Sequence, residues 1–254
     1  MTVPLLVLAG LDPTGGAGLT ADAAMARSLG IHPLPVPTVL TVQNSIRFSG
    51  MRPVEPSYIR DAVTALAGEF PFDVAKVGLV PIDDERWLDE VADILFPRCR
   101  AVVIDPVLQP TAARSGIVPS AAFLRFISRP GVVITPNLRE LEAIAAALGI
   151  TKSEPSLLAQ EVGRATGVSV AVTFEGEKAA VLVVEQGSVT EVPFTLVPTE
   201  RPVHGTGCRF STAVACGLAQ KNGLLSSVKT AVKKMAELIE NRTGFHRSEQ
   251  YYLS

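Results

Sequence analysis

Short apolar runs alternate along this chain with longer segments in which apolar positions recur at helical spacing. The runs "PLLVLAG", "PVPTVLTVQ", "VAKVGLV", "AVVIDPVL", "GVVITP", "VSVAVTF" and "KAAVLVVEQ" read as strands. Between them the spacing predicts helices near residues 17–29, 56–69, 84–95, 119–129, 137–148 and 155–166. After Gln186, "GSVTEVPFTLV" reads as an added strand turning back antiparallel through a glycine. Two long helices follow, about 205–221 and 223–242, with Gly223 between them. Strands that alternate with helices build a mostly parallel sheet covered on both faces, so the pattern predicts a three-layer α/β fold. With no repeat, low-complexity stretch or linker, residues 1–254 are expected to form a single domain.

Composition narrows the function. The chain has 254 residues, is 47% apolar and carries a formal charge of −2, enough for a substantial core. No lysine or arginine run is present, which argues against nucleic acid or an anionic membrane as partner and leaves a small molecule. The opening "MTVPLLVLAG" lacks a basic leader and no apolar run reaches membrane-spanning length, so a cytoplasmic location is expected. Cys99, Cys208 and Cys216 form no CxxC pair, and His32, His204 and His246 are scattered, which predicts neither a disulfide framework nor a zinc site.

In open α/β sheets ligands bind outside the carboxyl ends of the strands, so the residues that follow each strand carry the chemistry. After the first strand, Gly15, Gly16 and Gly18 surround Ala17, with Asp12 and Asp22 on either side. The loop is either a tight strand-to-helix turn or a place where a ligand meets the backbone. After the second strand, the amides of Gln43 and Asn44 suit the edge of an amino-heterocycle or cap the strand end. Asp105, Asn137 and Glu140 can orient a hydrated Mg²⁺. Equally, Asp105 can serve the turn at Pro106, while Asn137 and Glu140 have the spacing of a capping box. "HGTGC" at 204–208 leads into a helix and offers converging N–H groups for an anion. Cys208 falls in that helix's first turn, where the helix dipole is expected to lower the thiol's pKa, whereas Cys216 reads as a small packing residue.

Taken in order, "AGLDPTGGAG" followed by Asp22, then "TVLTVQN", "AKVGLV", "VIDPVL", "ARSG", "ITPNLRE" and "HGTGC", resemble the hydroxymethylpyrimidine/phosphomethylpyrimidine kinases of thiamin biosynthesis. That resemblance spans nearly the whole chain and implies a ribokinase-like fold, ATP and Mg²⁺ as cofactors, a pyrimidine substrate and a homodimer. It places Gln43 on the aminopyrimidine edge, with Ala17, Gly18, Val42 and Leu79 near the ring and Asp22 on the substrate side. Asn137 and Glu140 match an NxxE element acting through water on Mg²⁺ and phosphates, with Asp105 and Thr173 on the nucleotide side. Gly205, Thr206 and Gly207 would form an anion hole, and Cys208 would accept the hydroxyl proton during in-line phosphoryl transfer.

Several positions depart from the family's pattern. Thr20 replaces a glutamine, Leu79 a methionine and Arg114 a lysine. Where the family reads "VKGGH", this chain has Thr173, Phe174 and Glu175, with Lys178 the nearest lysine, and "TERPV" precedes the anion hole. Two alternatives accompany the resemblance: a kinase of pyridoxal or another hydroxymethyl heterocycle, and a homologue that binds a pyrimidine without phosphoryl transfer.

Overall fold

The structure is a computed structural model that describes residues 2–108, 118–151, 154–174, 179–244 and 250–253. Arg114, Glu175 and Lys178, with the "ARSG" segment, lie outside the described residues. In chain order the first half comprises β1 (Pro4–Leu11), α1 (Gly18–Ser28), β2 (His32–Gln43), β3 (Phe48–Pro53), α2 (Pro56–Ala67), β4 (Val74–Val77), α3 (Glu85–Leu95) and β5 (Ala101–Ile104). The second half comprises α4 (Ala121–Ile127), β6 (Val132–Ile134), α5 (Leu138–Ala147), α6 (Pro155–Thr166), β7 (Ser169–Phe174), β8 (Ala180–Glu185), β9 (Ser188–Pro193), α7 (Thr206–Ala219), α8 (Leu224–Glu240), β10 (Thr243–Gly244) and β11 (Tyr251–Tyr252). None of these helices is long and apolar enough to cross a membrane.

Among the described residues nine strands form one sheet in the order β3-β2-β1-β4-β5-β6-β7-β8-β9. From β2 through β7 the pairing is parallel, and the antiparallel pairs are β3 on β2, β8 on β7 and β9 on β8. The central strands are apolar runs, Lys76 of β4 excepted, because both faces are covered. Leu6 and Leu8 of β1 join a core with α2 to α6, while Leu5, Val7 and Ala9 join a second core with α1, α7 and α8. Burying such a side chain contributes roughly 1.5–3 kcal/mol, so the two cores hold the strand ends rigidly.

The strands and helices match the expected pattern, with β3, β10 and β11 added and the start of β2 moved. β3 was not expected, because "FSGMRP" carries a glycine and a proline and shows no clean alternation. β2 begins at His32 rather than Pro35, although Pro33, Pro35 and Pro37 lie within it. The reason is local: β1 pairs with one edge of this half, and β3 pairs only from Val39 onward. The missing proline N–H groups therefore fall on an edge that needs no donor. The order 2-1-4 reverses direction at β1, which opens a crevice outside the carboxyl ends of β1 and β4.

Candidate active site

At the crevice, β1 ends in the loop holding Asp12, and β4 carries Lys76 into the interior between Ala75 and Val77. Lys76 is fully buried, and its Nζ donates to Asp22 Oδ2 of α1 at 2.6 Å. The Thr212 hydroxyl of α7 donates to the other Asp22 oxygen at 2.9 Å. Burial opposes the charge on Lys76, but the neighbouring carboxyl groups, Asp22 before Asp105, outweigh it and hold the ammonium above its ordinary value. A cation is thus fixed beneath the first turn of α7. Asp22, expected on the substrate side, lies wholly buried in this ion pair.

Gly205 is the N-cap of α7, with φ +75°, and no side chain caps the helix. Thr206, Gly207 and Cys208 follow in its first turn, with Gly207 exposed and Thr206 half-buried. Uncapped amides at a helix start suit an oxyanion. Asp105, which follows β5, faces the same turn. It accepts from the Ser211 hydroxyl at 3.4 Å, and the nearby Cys208 thiol favours its charged form. Burial and then the Asp22 charge push Asp105 up to about 6, against Lys76, Cys208 and Ser211.

The helix dipole does not govern Cys208 as expected. Burial pushes its thiol up to about 12, and Lys76 and the Gly18 N–H only partly oppose this in the presence of Asp105 and Asp22. The resting side chain is a thiol. The physical reason is that desolvation and two nearby carboxylates outweigh the partial charge of one helix end.

Asn137 and Glu140, expected to serve the nucleotide, form a capping box. The Glu140 N–H donates to Asn137 Oδ1 at 2.9 Å, and the Asn137 N–H donates to Glu140 Oε2 at 3.0 Å. Thr173 sits beside them, bridged to Asn137, and its N–H donates to the Pro136 carbonyl at 3.0 Å. Burial and the Asp105 charge push Glu140 up to about 8. Among the described residues no three or more acidic, cysteine or histidine side chains gather as a metal cage.

Of the residues expected to meet the substrate, Ala17 and Gly18 are half-buried at the start of α1, Gln43 is half-buried at the end of β2, and Val42 is 60% exposed. The Thr41 hydroxyl joins the β2 end to the Leu11 carbonyl at 2.9 Å. Leu79 lines a pocket of about 420 Å³ together with Met51, Val107 and residues 80–85. The sequence pattern gives none of Lys76, Met51 and Val107 a role. A lysine in the middle of an apolar strand was the available signal for the first, while the other two meet Leu79 only through the fold.

Solved structures with this architecture include the pyridoxal kinase of Staphylococcus aureus in complex with ADP, with a TM-score of 0.85 at 20% identity, covering 100% of this chain and 93% of that one. The phosphomethylpyrimidine kinase of Clostridium difficile 630 aligns with a TM-score of 0.76 at 20% identity, covering 94% and 100%. Fold and site thus define the class: a ribokinase-like α/β protein with a helix start that no described side chain caps. Residues 12–251 match the phosphomethylpyrimidine kinase family, and the chain belongs to it. The hydroxymethylpyrimidine/phosphomethylpyrimidine kinase of Rhizobium meliloti (strain 1021) is 28% identical over 237 residues, which is 91% of this chain and 88% of that protein.

Proposed function

We propose that the chain, as one unit over residues 1–254, transfers the γ-phosphoryl group of ATP to the hydroxymethyl oxygen of 4-amino-5-hydroxymethyl-2-methylpyrimidine, to its monophosphate, or to both in turn. Family membership across residues 12–251 carries this reading. The uncapped start of α7, set over Lys76 and beside Asp105 and Cys208, supplies a chemical basis for it.

In-line transfer forms a bond from the hydroxymethyl oxygen to phosphorus as the bond to the ADP leaving oxygen breaks. The N–H groups of Gly205, Thr206 and Gly207 stabilise charge on the phosphoryl oxygens, which is the dominant contribution expected for a loose transition state. Gln43 reads the aminopyrimidine edge, with Ala17, Gly18, Val42 and Leu79 about the ring. Because Cys208 rests as a thiol beside Asp105, the hydroxyl proton passes to its sulfur while its own proton passes to the Asp105 carboxylate.

Asp105, Asn137, Glu140 and Thr173 form the nucleotide side. Mg²⁺ fits this donor set: two carboxyl groups pushed upward, Glu140 in part by the Asp105 charge, are relieved by a hydrated divalent cation bound through water. When bound, it neutralises charge on the phosphates. A cytoplasmic enzyme and a homodimer complete the proposal. Leu40, Val42, Ile46 and Met51 expose apolar surface on the β2–β3 ribbon, a surface suited to a second copy.

Phosphorus NMR with ATP, Mg²⁺ and each acceptor tests this reading. A phosphomonoester signal with hydroxymethylpyrimidine, or a diphosphate signal with its monophosphate, is expected. Pyridoxal is the second arm, motivated by the S. aureus pyridoxal kinase complex with AMP-PCP and pyridoxal, with a TM-score of 0.83. Transfer to pyridoxal alone would reassign the substrate, and transfer to no acceptor would overturn the kinase reading.

A further inference from the structure

The glycine loop and the phosphate cradle are joined by contacts that neither needs for its own backbone. Asp12 is 3% exposed. Its Oδ1 accepts from the Thr14 N–H at 2.9 Å, and its Oδ2 accepts from the Thr14 hydroxyl at 2.8 Å and the Ala17 N–H at 3.0 Å. The same Oδ2 accepts from His204 Nε2 at 2.8 Å, across 192 positions of sequence. Burial raises the Asp12 carboxyl, but the hydrogen bonds from His204 and Thr14 outweigh it and leave it below its ordinary value, so a carboxylate holds these donors. His204 directly precedes the Gly205 cap of α7.

Further contacts tie the same two loops. Arg209 of α7, also buried, donates through Nη1 to the Gly16 carbonyl and through Nη2 to the Leu253 carbonyl, both at 2.7 Å. The His204 N–H donates to the Tyr251 carbonyl at 2.9 Å, and the Tyr252 ring meets the His204 imidazole edge-on at 5.9 Å. Packing leaves no slack. A Cβ at Gly16 would stand 2.4 Å from His204 and 2.6 Å from Tyr252, and one at Gly205 would stand 2.2 Å from the Gly16 carbonyl oxygen. These two glycines therefore admit each other's loops and the C-terminal segment, whatever ligand they also meet.

We infer that His204 is a positioning residue: through Asp12, and backed by Tyr252, it holds the loop carrying Ala17 and Gly18 in register with the 205–208 cradle. The inference rests on the kinase reading for its kinetic consequence. One loop addresses the acceptor and the other the phosphoryl group, and a displacement of about 1 Å between reacting groups lowers rate about 100-fold. The Asp12–His204 bond crosses the seam between them. The C-terminal segment is thereby part of the site's scaffold.

A pair of amide variants isolates the bond. Glutamine can place its amide N–H near the position of Nε2, while asparagine, a shorter amide, falls short of Asp12. His204→Asn is expected to lower kcat about 10- to 100-fold with both KM values changed less than about threefold, and His204→Gln to restore at least about tenfold of the loss. Hydrogen exchange on the full-length protein without substrate is the second readout. Exchange is expected to quicken at both 15–18 and 205–208 in the asparagine variant and to return in the glutamine variant. Equal losses in the two variants, or faster exchange at only one segment, would overturn the inference. If the wild-type protein phosphorylates no acceptor, the kinase reading fails and exchange alone decides the register role.

Discussion

Lys76 sits where a lysine is normally excluded, and its position makes two demands on the residues around it. Removing one partner of a fully buried pair leaves the other charge unpaired, at a cost of about 3–5 kcal/mol. Lys76→Met is therefore expected to lose about that much stability in urea unfolding. Lys76→Met combined with Asp22→Asn, which keeps a partner for Thr212, should lose less than the sum of the single changes. Additive losses would mean that the pair is not coupled. At Cys208, phosphoryl transfer by positioning and charge stabilisation predicts that Cys208→Ala lowers kcat more than it weakens pyrimidine binding, and unchanged turnover with weaker binding would refute the assignment. Glu140 sets a pH dependence. Its carboxyl is raised from 4.5 to about 8, so between these values the native state binds more protons than the unfolded chain, and stability falls as pH rises through that window. Glu140→Gln should flatten this part of a melting-temperature profile. A profile as steep as the wild type's would show that another group is responsible.

At the scale of elements, α5 carries one pair of residues on which two requirements can be tested. Asn137 and Glu140 cap the helix, and the proposed kinase reading also assigns them to the nucleotide, a second role that capping does not preclude. Ser120 caps α4 through the Phe123 N–H at 3.1 Å and is a matched control. Asn137→Ala and Ser120→Ala are each expected to lose about 1 kcal/mol. Only Asn137→Ala should also raise the KM for ATP, and equal KM effects would confine Asn137 to capping. The α5 start was legible because capping chemistry is local. β3 was not, because its strand character depends on the exposed edge of β2 rather than on its own residues.

For the whole molecule, the sheet's β3 end carries an exposed apolar surface. Ile46 and Val42 are each 60% exposed there and Leu40 45%, the kind of strand edge that invites a partner. Sedimentation velocity is expected to give twice the chain mass of 26.8 kDa for the wild type and the single-chain mass for Ile46→Glu. A wild-type monomer would assign this surface to something other than self-association.

The sequence by itself determined the alternation of strands and helices, the antiparallel turn-back at β9, the capping box of α5 and the placement of "HGTGC" at a helix start. Each is set by residues within a few positions of one another, through periodicity, turn chemistry or capping. Only the tertiary structure decided that Lys76 joins Asp22, Asp105 and Cys208, that the Cys208 thiol is raised rather than lowered, and that Asp12 meets His204. Those outcomes depend on desolvation and on partners brought together from opposite ends of the chain, quantities that no local pattern contains.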